Sequence, residues 1–234
     1  MPDLLPYKVS PTLLPKLSNL PPSTRPKSTE KQPQSGQSSQ PPRLLLTSFR
    51  PWRAHQVSNA ADDLLVWLQQ QALLPDNTVL LRQLPVSFQL APAEVIAKIV
   101  WFQPRCVICC GMAENRHQLS LERQGICNNQ PLQTSLHLPT LLQGTGLTEI
   151  SEDAGTYVCN HLYFQVLQFL KQKSVNCQAL FVHVPPLNQA NLLTIAQDFC
   201  QILRQLSTQL DQFHEALSTS THSRSRRTTR SHSA

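Results

Sequence analysis

Residues 151–163, SEDAGTYVCNHLY, followed by residues 181–185, FVHVP, decide how this chain folds. From Tyr157 to Lys171 the apolar residues Val158, Leu162, Val166, Leu167, Phe169 and Leu170 recur at helical spacing, and 179–184 reads as a short buried strand. The helix therefore starts near Cys159. About twelve helical residues at 1.5 Å carry the chain roughly 18 Å away, and about five strand residues at 3.3 Å bring it back by roughly 16 Å. His183 is thereby predicted to return to the edge where Cys159 sits. In open α/β sheets this is the edge where ligands bind.

The position matters chemically because a thiolate, not a thiol, is the nucleophile. A helix N-terminus stabilises a nearby anion by about 0.3–1 kcal/mol, and a neighbouring imidazolium adds to that. The expectation is that both together make Cys159 reactive. A base of this kind needs a third group to fix its ring, and the acidic candidate upstream is Glu122 in LSLERQGI, after a buried strand at 106–111. His161, two residues beyond Cys159, competes as its base.

Upstream, strands and helices alternate. Residues 44–49 read as a strand, 60–73 as an amphipathic helix capped by Ser58 or Asn59, 78–84 as a strand, and Pro92 opens a helix to about 102. Short pieces, including one at 147–150, lead into the Cys159 helix, and a long helix begins near Gln189. The pattern predicts a three-layer α/β/α sandwich around a central mixed sheet, flanked by disordered tails.

Composition divides the chain in three. Residues 1–42 hold ten of the nineteen prolines amid Ser, Gln and Lys, and are expected to be disordered. Residues 43–214 are long enough for one well-buried domain. Residues 215–234 form a basic Ser/Arg/Thr tail, also expected to be disordered. Charge follows the same division: the formal net charge is +6, but 43–214 is neutral and each flank carries +3. A folded nucleic-acid-reading surface is therefore not expected. The seven cysteines are odd in number and scattered through core segments, which excludes a disulfide framework and points to a reducing cytoplasm. Cys106, Cys109 and Cys110 mimic a metal-binding pair, but a strand alternates its faces and no four-ligand set is visible, so no metal is expected. No run of apolar residues suits a signal or a membrane span.

The motif SEDAGTYVCNHLY, the strand FVHVP, the segment GMAENRHQLSLER at 111–123 and TSFRPW at 47–52 together resemble the pyroglutamyl-peptidase I family of cysteine peptidases, as a shortened variant. The resemblance covers residues 43–212. It implies Cys159 as nucleophile, His183 as general base and Glu122 as orienting carboxylate, with Phe49 and Trp52 against the substrate ring and backbone near Met112 on its lactam. A flat, uncharged lactam calls for such aromatic faces and backbone hydrogen bonds. The implied activity is removal of N-terminal pyroglutamate from peptides, without cofactor, in a protein that can form homo-oligomers. The alternatives are a catalytically weak or inactive pyroglutamyl-peptide binding module and a related amide hydrolase with another substrate. Three departures stand out. An arginine-bearing A-R-I-P-D-N-like run between Glu122 and Cys159 is missing, Ser48, Arg53 and Ala54 replace glycines, and Asp153 adds an anion near Cys159.

Overall fold

The computed structural model describes residues 44–228; residues 1–43, with the segment 1–42 expected to be disordered, and residues 229–234 lie outside them. Eight strands and five helices follow in the order β1 (Leu44–Phe49), α1 (Ala60–Gln70), β2 (Thr78–Leu84), α2 (Leu90–Phe102), β3 (Cys106–Met112), β4 (Leu119–Glu122), β5 (Gln124–Cys127), β6 (Gln130–Gln133), α3 (Leu138–Leu141), β7 (Thr148–Ser151), α4 (Val158–Lys173), β8 (Gln178–Val184) and α5 (Leu192–Thr228). Six strands form one sheet in the order β2-β1-β3-β8-β4-β7, while β5 and β6 form a separate hairpin. Strands β2, β1, β3 and β8 run parallel, and β4 runs antiparallel to β8, which makes the sheet mixed as predicted.

Side-chain alternation splits the core into two layers. Leu44, Leu46, Ile108, Leu180 and Val182 face α1 and α5. Leu45, Val107, Ala179 and Phe181 face α2 and α4. Together they give the three-layer α/β/α sandwich. The central strands β1, β3 and β8 are buried along almost their whole length because helices cover both faces, hence their near-continuous apolar sequences.

Helix ends follow local chemistry. Asn59 caps α1 by accepting the Ala61 N–H at 3.0 Å, while Ser58 donates to Asp63 instead. Helix α1 stops at Gln70, three residues short of the expected end, because Ala72 turns left-handed at φ 53° and the Leu73 N–H closes on Leu68. Ser174 ends α4 in the same manner, at φ 49° with the Val175 N–H on Leu170.

Two differences from the sequence reading concern elements that periodicity does not reveal. Strand β4, four residues long, is too short to show a period, and the β5–β6 hairpin turns at Asn128 and Asn129, both with positive φ. At the C-terminal end, α5 continues through Thr228, past Glu215 where a disordered tail is expected. No glycine or proline interrupts 215–228, and propagating an existing helix needs only one further hydrogen bond per residue. Among the described residues no helix is long and apolar enough to cross a membrane.

Candidate active site

Strand β8 places Ala179, Phe181 and His183 on the face covered by α4. Helix α4 begins at Val158, so Cys159 occupies its first turn at the carboxyl edge of the parallel strands. Both side chains line one cavity of about 530 Å³. The expected return of the strand to the helix start is thus the observed geometry.

Register brings in the carboxylate. In the antiparallel β4–β8 pair Ser120 lies opposite His183 and Glu122 opposite Phe181, so Glu122 is the diagonal neighbour of His183 on the same face. Its Oε1 accepts from His183 Nδ1 at 2.6 Å. That bond assigns the ring proton to Nδ1 and leaves Nε2 free as an acceptor. Glu122 has no solvent exposure. Burial alone raises a carboxyl, but the hydrogen bond and charge of His183, with the Arg116 charge behind them, hold Glu122 below the ordinary carboxylate range.

Gly111 permits the close approach of sulfur to sheet. It pairs with His183 across β3–β8, and a Cβ there would lie 2.8 Å from Cys159 Sγ and 3.0 Å from Phe181 Cζ. Enclosure changes the thiol, however. Burial pushes Cys159 up to about 12, Cys109 and the Glu122 charge add to the rise, and Arg116 and the helix-start backbone only partly oppose it. Desolvation of a buried thiolate outweighs a helix-end stabilisation of about 0.3–1 kcal/mol.

Phe49, Trp52 and Met112 line the same cavity. The Phe49 ring is buried, Trp52 is 41% exposed, and Trp52 packs on Tyr157 with ring centroids 4.9 Å apart. Arg53, at a position where the resemblance leads one to expect glycine, lies over the Trp52 ring at 4.3 Å and pairs with Glu114 at 2.7 Å, so it braces the aromatic wall. Asp153 turns its carboxylate onto the Gly155 N–H at 2.8 Å. His161 is carried to another side of α4, where it meets Phe88 at 5.1 Å, and it is not among the cavity-lining residues. Among the described residues no cluster of His, Cys, Asp or Glu could hold a metal ion, and Cys106 and Cys109 point to opposite faces of β3.

Two residues of this site escape the sequence reading. Arg116 lines the cavity and donates to Glu122 Oε1 at 2.6 Å and to the Asp153 carbonyl at 2.8 Å. Its signal lay within GMAENRHQLSLER, as the one cation between the strand and the carboxylate that has a partner there. Asn160, next to Cys159, clasps the hairpin by accepting the Ile126 N–H at 2.7 Å and donating to the Ile126 carbonyl at 2.8 Å. Nothing in its sequence context marks that role.

Fold and site define a class: a three-layer α/β/α sandwich that gathers a cysteine, a histidine and a carboxylate at the carboxyl edge of its parallel strands. A family model described as pyroglutamyl peptidase matches residues 138–211, which include Cys159 and His183. The pyrrolidone-carboxylate peptidase of Streptococcus pneumoniae is 28% identical over 204 residues, covering 72% of this chain and 91% of its own length. That of Brevibacillus brevis is 29% identical over 168 residues, covering 61% and 77%. The crystal structure of pyroglutamyl peptidase I from Bacillus amyloliquefaciens shares the fold at TM-score 0.57 and 21% identity, over 69% of this chain and 93% of that one. A mutant pyrrolidone carboxyl peptidase from Pyrococcus furiosus does so at TM-score 0.59 and 17% identity, over 71% and 99%. The chain is thus similar in sequence to pyroglutamyl peptidases and shares their fold.

Proposed function

We propose that the protein is a cysteine peptidase that removes N-terminal pyroglutamate from peptides. The observation that carries the reading is the single cavity shared by the Cys159 thiol and the His183 imidazole, with Glu122 hydrogen-bonded behind the ring at 2.6 Å. Phe49 and Trp52 offer flat apolar faces to the lactam, and backbone beside Met112 offers it polar groups.

In this reading His183 Nε2 takes the Sγ proton as Sγ attacks the pyroglutamyl carbonyl carbon. Proton removal is coupled to attack, because the enclosed thiol at about 12 is not ionised beforehand at neutral pH. Charge developing on the carbonyl oxygen meets the N–H groups of the first turn of α4, whose N-cap residue Tyr157 makes no side-chain capping bond. The imidazolium returns its proton to the departing amine, the C–N bond breaks, and a thioester to Cys159 remains. Water, deprotonated by the same imidazole, then cleaves the thioester and restores the thiol. Glu122 holds the ring in the tautomer both steps need. With all seven cysteines free, the chain suits a reducing compartment such as the cytoplasm.

The raised thiol also favours a second reading, in which the cavity binds pyroglutamyl peptides without efficient turnover. A fluorogenic pyroglutamyl amide separates the two. Release of fluorophore by wild type, falling on the order of a million-fold in Cys159→Ala, is the expected result. Retention of pyroglutamyl peptides with no release by wild type overturns the peptidase reading in favour of the binding module.

A further inference from the structure

Among the described residues Arg53 and Arg116 are the cations that line the cavity, and Arg116 is the one that touches the His183–Glu122 pair. Its side chain is 23% exposed, whereas Glu122 is fully buried, so the guanidinium reaches inward from the cavity wall to a carboxylate that solvent does not touch. Nη1 donates to Glu122 Oε1, the same oxygen that accepts from His183 Nδ1, each at 2.6 Å. Nη2 donates to the Asp153 carbonyl at 2.8 Å and to Ser151 Oγ at 3.3 Å. One planar group thus ties β4 to the loop running from β7 into α4. That loop leads directly into the first turn of α4, where Cys159 sits.

We propose that Arg116 is a positioning residue of this site, fixing the Glu122 carboxylate and the 151–155 loop in one frame and keeping a positive charge beside the thiol of Cys159. The inference rests on the peptidase reading for its effect on turnover, but its effect on the thiol does not depend on that reading. A lysine cannot replace the fork, because an ammonium presents a point charge where the guanidinium serves two anchors at fixed geometry. The other charged or titratable groups around the thiol are accounted for. Glu122 comes from β4, His183 from β8, Cys109 from β3 and Tyr163 from α4, while Asp153 is turned onto Gly155 and Glu114 onto Arg53, Gln56 and His55.

The test compares Arg116→Met and Arg116→Lys with wild type by two measurements. The first is the rate of Cys159 alkylation by iodoacetamide at pH 8.5, followed by mass spectrometry of the peptide containing it; the second is kcat/KM on the pyroglutamyl amide. Losing the positive charge that opposes the rise of the thiol makes the thiolate scarcer, so alkylation should slow severalfold in Arg116→Met and recover in Arg116→Lys. Turnover should fall in both variants, since only arginine holds both anchors. Alkylation in Arg116→Met at or above the wild-type rate overturns the charge beside the thiol, and wild-type kcat/KM in Arg116→Lys overturns the two-anchor frame. If Arg116→Met does not fold, Arg116→Gln supplies the same neutral comparison. Wild type that is inert towards the amide removes the peptidase reading, while the alkylation rates still decide the role of Arg116.

Discussion

Two cavities of nearly equal volume, about 530 and 540 Å³, open at opposite edges of the same sheet and share no lining residue. The one at the carboxyl edge collects Cys159, His183, Arg116 and Glu114. At the amino edge the lining is mostly apolar, including Ile99, Phe169, Val175 and Phe213, and the one charged member among the described residues, Arg105, is already engaged by Asp211 and by the Leu210 carbonyl. Volume does not distinguish them; chain direction does. Where parallel strands end, successive loops diverge and helices present unpaired N–H groups, so polar side chains can converge on a space with its own donors. At the other edge helices end in carbonyls and short turns, which leaves a gap between apolar surfaces.

Substitutions at the two edges should therefore differ in kind, and the largest effect that sharpens the contrast is at Glu122. Glu122→Gln should lower kcat/KM on a pyroglutamyl amide on the order of 10⁴-fold, as loss of the corresponding carboxylate does in serine triads. The same variant has a stability signature. Because the folded carboxyl lies below its ordinary value of 4.5, its contribution is present above that value and is lost as pH falls through the lower folded value. Urea unfolding of wild type against Glu122→Gln should show the gap between them closing on that acid limb.

Gly111→Ala should come next. The new Cβ would sit 2.8 Å from Cys159 Sγ, and displacing a reacting atom by about 1 Å costs on the order of a hundredfold in rate. Overpacking against Phe181 should also lower stability by about 1–3 kcal/mol. Wild-type turnover in this variant would contradict a tightly held thiol. Trp52→Ala removes one face of the Trp52–Tyr157 pair and should raise KM about three- to tenfold with kcat little changed. Smallest is the effect expected at the amino edge: Phe169→Ala should cost no more than about 3 kcal/mol of stability and leave kcat/KM near wild type. A large loss of turnover there would break the contrast altogether.

Much of the architecture was legible along the chain. Strands β1 and β2 fall at the bounds their apolar runs predict, and of the two polar candidates for the α1 cap, Ser58 and Asn59, it is Asn59 that caps the helix. These features depend on neighbours within a few residues, which is why sequence exposes them. Strand β4 differs. LSLE is short, and nothing within it announces that it runs antiparallel to β8 or that Glu122 is sealed from solvent. Arg116 was likewise in plain view as a residue but not as a contact, since its partners Glu122, Ser151 and Asp153 lie on two separate segments.

By itself the sequence determined the alternation of strands and helices and, through the lengths of α4 and β8, that Cys159 and His183 share an edge, because rise per residue is a local property of backbone geometry. Tertiary structure alone decided how the β4–β8 register sets Glu122 diagonally behind His183, how Gly111 admits the sulfur, and how enclosure pushes that thiol up. Register and desolvation arise from segments distant along the chain closing around one another, and no local pattern encodes them.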